Sequence, residues 1–142
     1  MKQIPTLEAA DVRKILDAAQ AEALAQQWNV SIAVVDNGAQ LLGFLRLDGA
    51  APLSAKIAVG KANTAAISRK ESKFYEEVVK GGRTAFLSVP ELVVLEGGVP
   101  ILVDGQCIGA VGVSGVRSDQ DAQVARAGIK ALADAHGLNI TL

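Results

Sequence analysis

An α+β fold, one antiparallel sheet packed by helices, is what this sequence predicts, and three observations lead there. Two apolar β-branched runs are each followed by a tight-turn signal and a second apolar run, at Asp36-Asn37-Gly38 and at Asp104-Gly105, the pattern of two hairpins. Around and between them apolar residues recur at helical spacing. Each hairpin pairs its own strands antiparallel, so this order of elements does not fit a sheet of right-handed βαβ units.

The first element is a helix. After Thr6, the residues Val12, Ile15, Leu16, Ala19 and Ala23 share a face up to about Trp28, and Glu8 and Asp11 stand where the positive end of the helix dipole favours acid. Val30 to Val35 and Gln40 to Leu47 form the first hairpin. From Ala51 to Lys70 the helical pattern returns, with Pro52 tolerated in the first turn and alanines at positions 55, 58, 62, 65 and 66 that let another backbone come close. A shorter helix, Glu71 to Val79, stops at Gly81-Gly82. The second hairpin joins Pro100–Val103 to Gln106–Val113. Gly109 and Gly112 inside that strand mark a bulge or a close approach of backbone, ligand or helix. Ser118-Asp119-Gln120-Asp121 has capping-box spacing, with Asp for the usual Glu, and opens a last helix with Val124, Gly128, Ala131, Leu132 and Ala135 on one side. The segment Leu138–Leu142 reads as a short strand or a frayed end.

The chain has 142 residues, half of them hydrophobic. That length suits one domain over residues 1–142 with a substantial core, and no linker or long-period repeat argues for a second. Fourteen basic residues against 15 acidic leave a net charge of −1 without a basic stripe, which speaks against nucleic acid as a partner. The start lacks the apolar stretch of a signal peptide and no run is long enough to span a membrane, so a cytoplasmic protein without membrane attachment is expected. Cys107 is the single cysteine and its apolar strand context suits a small buried hydrophobe.

Five motifs, taken in order, resemble one bacterial family. They are Asp36-Asn37-Gly38, Arg46-Leu47-Asp48-Gly49-Ala50, Lys61-Ala62-Asn63-Thr64-Ala65, Gly97-Gly98-Val99-Pro100, and the run Gly105-Gln106-Cys107-Ile108-Gly109-Ala110-Val111-Gly112-Val113-Ser114-Gly115. Together with Asp121-Ala122-Gln123-Val124-Ala125 they look like the GlcG/HbpS family, over roughly residues 7 to 135. The resemblance implies a profilin-like sandwich around a five-stranded antiparallel sheet, a homo-oligomer, often an octamer, and a haem-related or corrinoid-related role. Haem or cobalamin are therefore the cofactors it suggests. In the haem-binding domain linked to corrinoid adenosyltransferases a histidine of the first helix ligates iron; no histidine occurs in the first helix here, so that ligation cannot be carried over. Nor does Glu76-Glu77 match the acidic iron-binding clusters of the secreted family member.

The chemistry available is sparse. Haem iron takes His, Cys, Met or Tyr, and His136, Cys107, Met1 and Tyr75 are the single copies of each. His136, just before Gly137, is read as meeting the last helical carbonyls or as a ligand, and Tyr75 as a packing residue or a ligand. With one Cys and one His, a structural metal site is not expected, and no nucleophile–histidine pair is legible. The strand-to-helix junction Gly112–Ser118 offers free N–H groups to an anion or simply caps a helix. Lys61 is the most suggestive polar group: its stem crosses an apolar helical face, either snorkelling to solvent or lining a ligand pocket. In the second case Lys61, Thr64, Arg46 and Asp48 bind a carboxylate or a haem propionate, with Arg83 and Glu96, both beside glycine pairs, as further ligand-binding candidates. Three functions stay open: a small-ligand-binding accessory protein of a catabolic operon; an enzyme acting on an organic acid with Lys61 as acid-base group; and a structural oligomeric scaffold. No catalytic residue is identified.

Overall fold

A computed structural model describes all of residues 1–142. Helix α1 (Ala9–Gln26) leads into strands β1 (Ser31–Asp36) and β2 (Leu41–Arg46), then helices α2 (Pro52–Ser68) and α3 (Ser72–Lys80). A 3-10 turn (Thr84–Ser88) and a loop precede β3 (Gly98–Val103) and β4 (Gln106–Ser114), and α4 (Ser118–His136) and the short β5 (Ile140–Thr141) close the chain. The five strands form one antiparallel sheet in the order β2-β1-β4-β3-β5. The expected α+β class and the five-stranded sheet are both found, and the C-terminal segment is a strand paired with β3. No helix is long and apolar enough to cross a membrane.

Both faces of the sheet are covered at its central strands, which is why β1 reads as an unbroken apolar run and not as an alternating one. On one face, Ile32, Val34, Val99, Ile101, Val111 and Val113 join Ile15 of α1 and Val124, Ile129 and Leu132 of α4 in the larger core. Fully burying each such side chain stabilises the fold by about 1.5–3 kcal/mol. On the other, Ala33, Val35 and Ala110 meet Ala58, Ala62, Ala65 and Ala66 of α2 in a core made almost wholly of alanine. Small residues there bring the helix backbone onto the strands. Gly98 and Gly112 are register partners under α2: a Cβ on Gly112 would stand 2.1 Å from the Ala58 carbonyl oxygen, and one on Gly98 2.2 Å from that of Lys61. The close approach foreseen at Gly112 is therefore α2 itself. Gly109 lies beside the expected bulge, where the register of β3 against β4 shifts between Ile101 and Leu102.

Some local details differ from the sequence reading. Asp104 and Gly105 take positive φ (50° and 77°), as a two-residue hairpin turn with φ positive at both central positions requires. The first hairpin does not use Asn37 and Gly38 that way. Asp36 accepts the N–H groups of Gly38 and Gln40 at 2.9 Å each, and Ala39 takes the positive φ (64°), giving a longer loop. At the start of α4 the expected Ser118–Asp121 capping box is displaced. Gln120 accepts the Arg117 N–H at 3.3 Å, while the Asp121 carboxylate points inward and accepts the Val116 N–H at 3.1 Å. The small-residue helix faces pack within the chain, Gly128 of α4 lying against Ile15 and Ala19 of α1.

Candidate functional site

Two places hold most of the structured polar chemistry. The first is a buried knot around Lys61. Its side chain runs along the sheet-facing side of α2, and its Nζ donates to the Val113 carbonyl and to Asp121 Oδ2, both at 3.0 Å. Lys61 and Asp121 are each only 2% exposed. Burial pushes the Asp121 carboxyl up, and the neighbouring Lys61 ammonium opposes that shift. The knot ties α2, the end of β4 and the start of α4 into one unit. Both partners of the amine are internal, and no cavity of the chain is lined by Lys61. Lys61 therefore does not snorkel: the amine finds its partner on α4 before it reaches water. Thr64, fully buried, donates to the Gly60 carbonyl and accepts the Val93 N–H at 2.9 Å, pinning the loop before β3 to α2.

The second place is a cleft of about 380 Å³ between α3 and the β3–β5 edge of the sheet. Its position follows from how the chain leaves α2. Arg69 ends the helix in the left-handed conformation (φ 61°), Ser68 Oγ accepts the Lys70 N–H, and Glu71 starts α3 at once. Ser72, fully buried, accepts the Gly98 N–H at 2.8 Å and donates to the Leu95 carbonyl, which fastens α3 beside the start of β3. Alternation along β3 sends Val99, Ile101 and Val103 into the larger core and leaves Pro100 and Leu102 on the α3 side, as cleft floor. The walls are exposed: Phe74 is 47% accessible, Lys70 Nζ lies 4.6 Å from its ring centroid, and Arg69 and Lys73 stand at the mouth.

Charge at this mouth is mixed, with Arg69, Lys70 and Lys73 beside Glu71 and Glu77. Glu71 is taken by Arg126 in an ion pair, and Lys73 makes only a long one, 3.9 Å to Glu96. Arg69 and Lys70 make no ion pair at all. An apolar floor beside Arg69 and Lys70, which outnumber the one unpaired side-chain carboxylate of the lining, Glu77, suits a flat amphipathic anion, with its apolar body on Pro100, Leu102 and Phe74 and its carboxylates at the basic side of the mouth.

The six expected ligand-binding residues are not brought together. Lys61 and Thr64 are interior, whereas Arg46 and Asp48 are exposed at the end of edge strand β2. Arg83 lies over the Phe86 ring at 4.9 Å, in the loop after α3. Glu96 reaches the cleft through Lys73. The cleft residues themselves escaped the sequence reading, although Arg69-Lys70 and Lys73-Phe74 in one short stretch were a visible basic and aromatic cluster. The junction Gly112–Ser118, considered for anions, has its N–H groups at 116 and 117 taken by Asp121 and Gln120.

The four possible iron donors are also placed. His136 is hydrogen-bonded to Asp11 at 2.7 Å, across α4 and α1, in place of the expected helix-end carbonyls. The Asp11 carboxyl is held below its usual range by the Glu8 backbone N–H first and then by His136. Cys107 is buried as expected, its thiol donating to the Gly109 carbonyl at 3.3 Å and pushed up by burial. Tyr75 packs edge-on to Phe74 and tilted against Phe86, with ring centroids 5.1 Å apart in both cases. Met1 is fully exposed at the terminus.

Comparison with known proteins bears on what this fold carries. The model of the family described as haem degrading protein HbpS-like matches residues 7–130. Protein GlcG of Escherichia coli strain K12 is 57% identical over 100 residues, covering 70% of this chain and 75% of GlcG. Among solved structures, a double mutant of Streptomyces reticuli HbpS superposes with a TM-score of 0.85 at 32% identity, covering 93% of this chain and 90% of that one. A complex of PduOC with haem superposes with a TM-score of 0.82 at 27% identity, covering 96% and 98%.

Proposed function

Because the chain belongs to the HbpS-like family, we propose that it is a haem-binding accessory protein whose site is the cleft between α3 and the β3–β5 edge. The observation that carries this reading is the pairing, in one cleft, of an apolar floor with the unpaired cations Arg69 and Lys70. Pro100, Leu102 and Phe74 would hold the macrocycle, and Arg69, Lys70 and Lys73 its propionates. Bound iron would supply redox and ligand-binding chemistry; the chain's own residues bind and orient the group and keep one of its faces from water. Lys61 has no part in this, since its ammonium is spent on Asp121 and Val113.

The test is a titration of purified protein with hemin, followed at the Soret band. A saturable, stoichiometric change is expected, weakened about tenfold or more when Arg69 and Lys70 are both changed to Glu. Unsaturable binding, or binding indifferent to those changes, removes the cleft as the site. A corrinoid is the informative second ligand: its periphery carries amides in place of carboxylates, so the cations gain little and weak binding is expected.

The proposal includes a homo-oligomer, an octamer by family resemblance, in the cytoplasm, encoded in a catabolic operon. Support for assembly comes from edge strand β2, whose outer side is unpaired and which exposes Leu41, Leu42 and Phe44, with Leu41 and Phe44 beside Ala55 and Val59 of α2. Light scattering of the purified protein reads the assembly directly, and a monomer at micromolar concentration removes that part.

A further inference from the structure

We propose, on the haem-binding reading above, that the cleft recognises a tetrapyrrole by its carboxylates and apolar face and not through its metal, so that metal-free porphyrin dicarboxylates are ligands of this protein as well as haem. The donor set leads there. Iron in a haem site is held by His, Cys, Met or Tyr, and none of these residues lines the cleft. The side chains that do line it carry ammonium, guanidinium, carboxylate, hydroxyl or hydrocarbon groups.

Each of the four donors of the chain is committed or out of place, Met1 lying fully exposed at the terminus and outside the cleft lining. The Nε2 of His136 is held by Asp11, and the ring borders a different and smaller cavity, of about 150 Å³, between α1 and α4. Cys107 donates its S–H to the Gly109 carbonyl beneath the sheet surface, and burial keeps the thiol protonated, the form that does not ligate iron. Tyr75 is wedged between Phe74 and Phe86, away from the floor. The cleft therefore grips what every porphyrin dicarboxylate shares: a flat apolar body and two carboxylates. It ignores what distinguishes haem from its metal-free precursor. A protein built this way carries porphyrin both before and after iron insertion or removal.

The experiment titrates the intact protein with hemin, metal-free protoporphyrin, zinc protoporphyrin and the dimethyl ester of protoporphyrin, read by Soret absorbance and by porphyrin fluorescence. The first three are expected to bind saturably with affinities within about threefold of one another, while the ester, lacking both carboxylates, binds at least about tenfold more weakly. The double change R69E with K70E weakens all three acids alike, and circular dichroism checks that these exposed changes leave the fold intact. His136→Ala, Cys107→Ser and Tyr75→Phe leave the hemin spectrum unmoved. If hemin binds saturably but metal-free porphyrin binds more than about tenfold more weakly, or if one of those three changes alters the hemin spectrum, the metal-independent proposal falls and haem binding stands. If no porphyrin binds saturably, haem binding falls with it.

Discussion

Lys61, in the middle of α2, and Lys70, just past its end, bring the same ammonium group into opposite surroundings. Lys61 is buried with a carboxylate and a carbonyl at 3.0 Å; Lys70 is exposed, free of any ion pair, and lies over an aromatic ring. Residue type alone does not separate the two roles. A cation enclosed with its partner is committed to the fold, because taking it out of water is tolerable only while that partner stays. A cation left at the edge of an apolar cleft keeps its charge available for a ligand that arrives with its own carboxylates.

Removing the buried member should have the largest effect. Lys61→Met leaves Asp121 buried and unpaired, and a loss of about 3–5 kcal/mol is expected in urea unfolding. Adding Asp121→Asn, which keeps an acceptor for the Val116 N–H without the charge, should recover a large part of that loss. Failure to recover it would mean that the ion pair is not what Lys61 contributes. Next comes the contact that encloses the knot. Gly112→Ala places a methyl 2.1 Å from the Ala58 carbonyl oxygen, so α2 must lift, and a thermal melt should show a loss of about 1–3 kcal/mol.

The exposed members should behave in reverse. Lys70→Glu should change unfolding stability by less than about 0.5 kcal/mol, while lowering hemin affinity severalfold in the Soret titration. Equal losses of stability and binding would erase the distinction between the two lysines. The smallest effect is expected from the half-exposed Asp11–His136 contact. The Asp11 carboxyl is held low in the folded chain, so the stability it contributes is present above pH 3.8 and is lost as pH falls through its lowered folded value. Melting temperatures of the wild type and of Asp11→Asn should therefore converge as pH drops below 3.8; a gap that persists in acid would assign the effect to packing.

Much of the fold was legible because its signals are local. The α1 face of Val12, Ile15, Ala19 and Ala23, the Asp104-Gly105 turn, and the stop of α3 at Gly81-Gly82 each depend on neighbours within a few positions. The departures were local competitions whose winner the composition did not decide. Asp36 folded its carboxylate back onto two N–H groups and lengthened the first hairpin, and Asp121 turned from helix cap to partner of a lysine. Gly112 showed that something approaches the strand closely, without showing that it was α2. The candidate site was barely legible. Lys61 stood out because a charge on an apolar face is unusual, yet the same observation fits a pocket and a buried pair.

By itself, then, the sequence determined the four helices, the two hairpins and their order, the fold class, the family and the scarcity of iron donors, since these follow from periodicity, turn chemistry, motif order and residue counts. Only the tertiary structure decided that Lys61 meets a carboxylate 60 positions away, that Ser72 fastens α3 beside β3, and that Arg69 and Lys70 open onto Pro100 and Leu102. The physical reason is strand order. Placing β4 between β1 and β3 brings the start of α4 within reach of Lys61 and sets the β3–β5 edge of the sheet beside α3, juxtapositions that no spacing along the chain encodes.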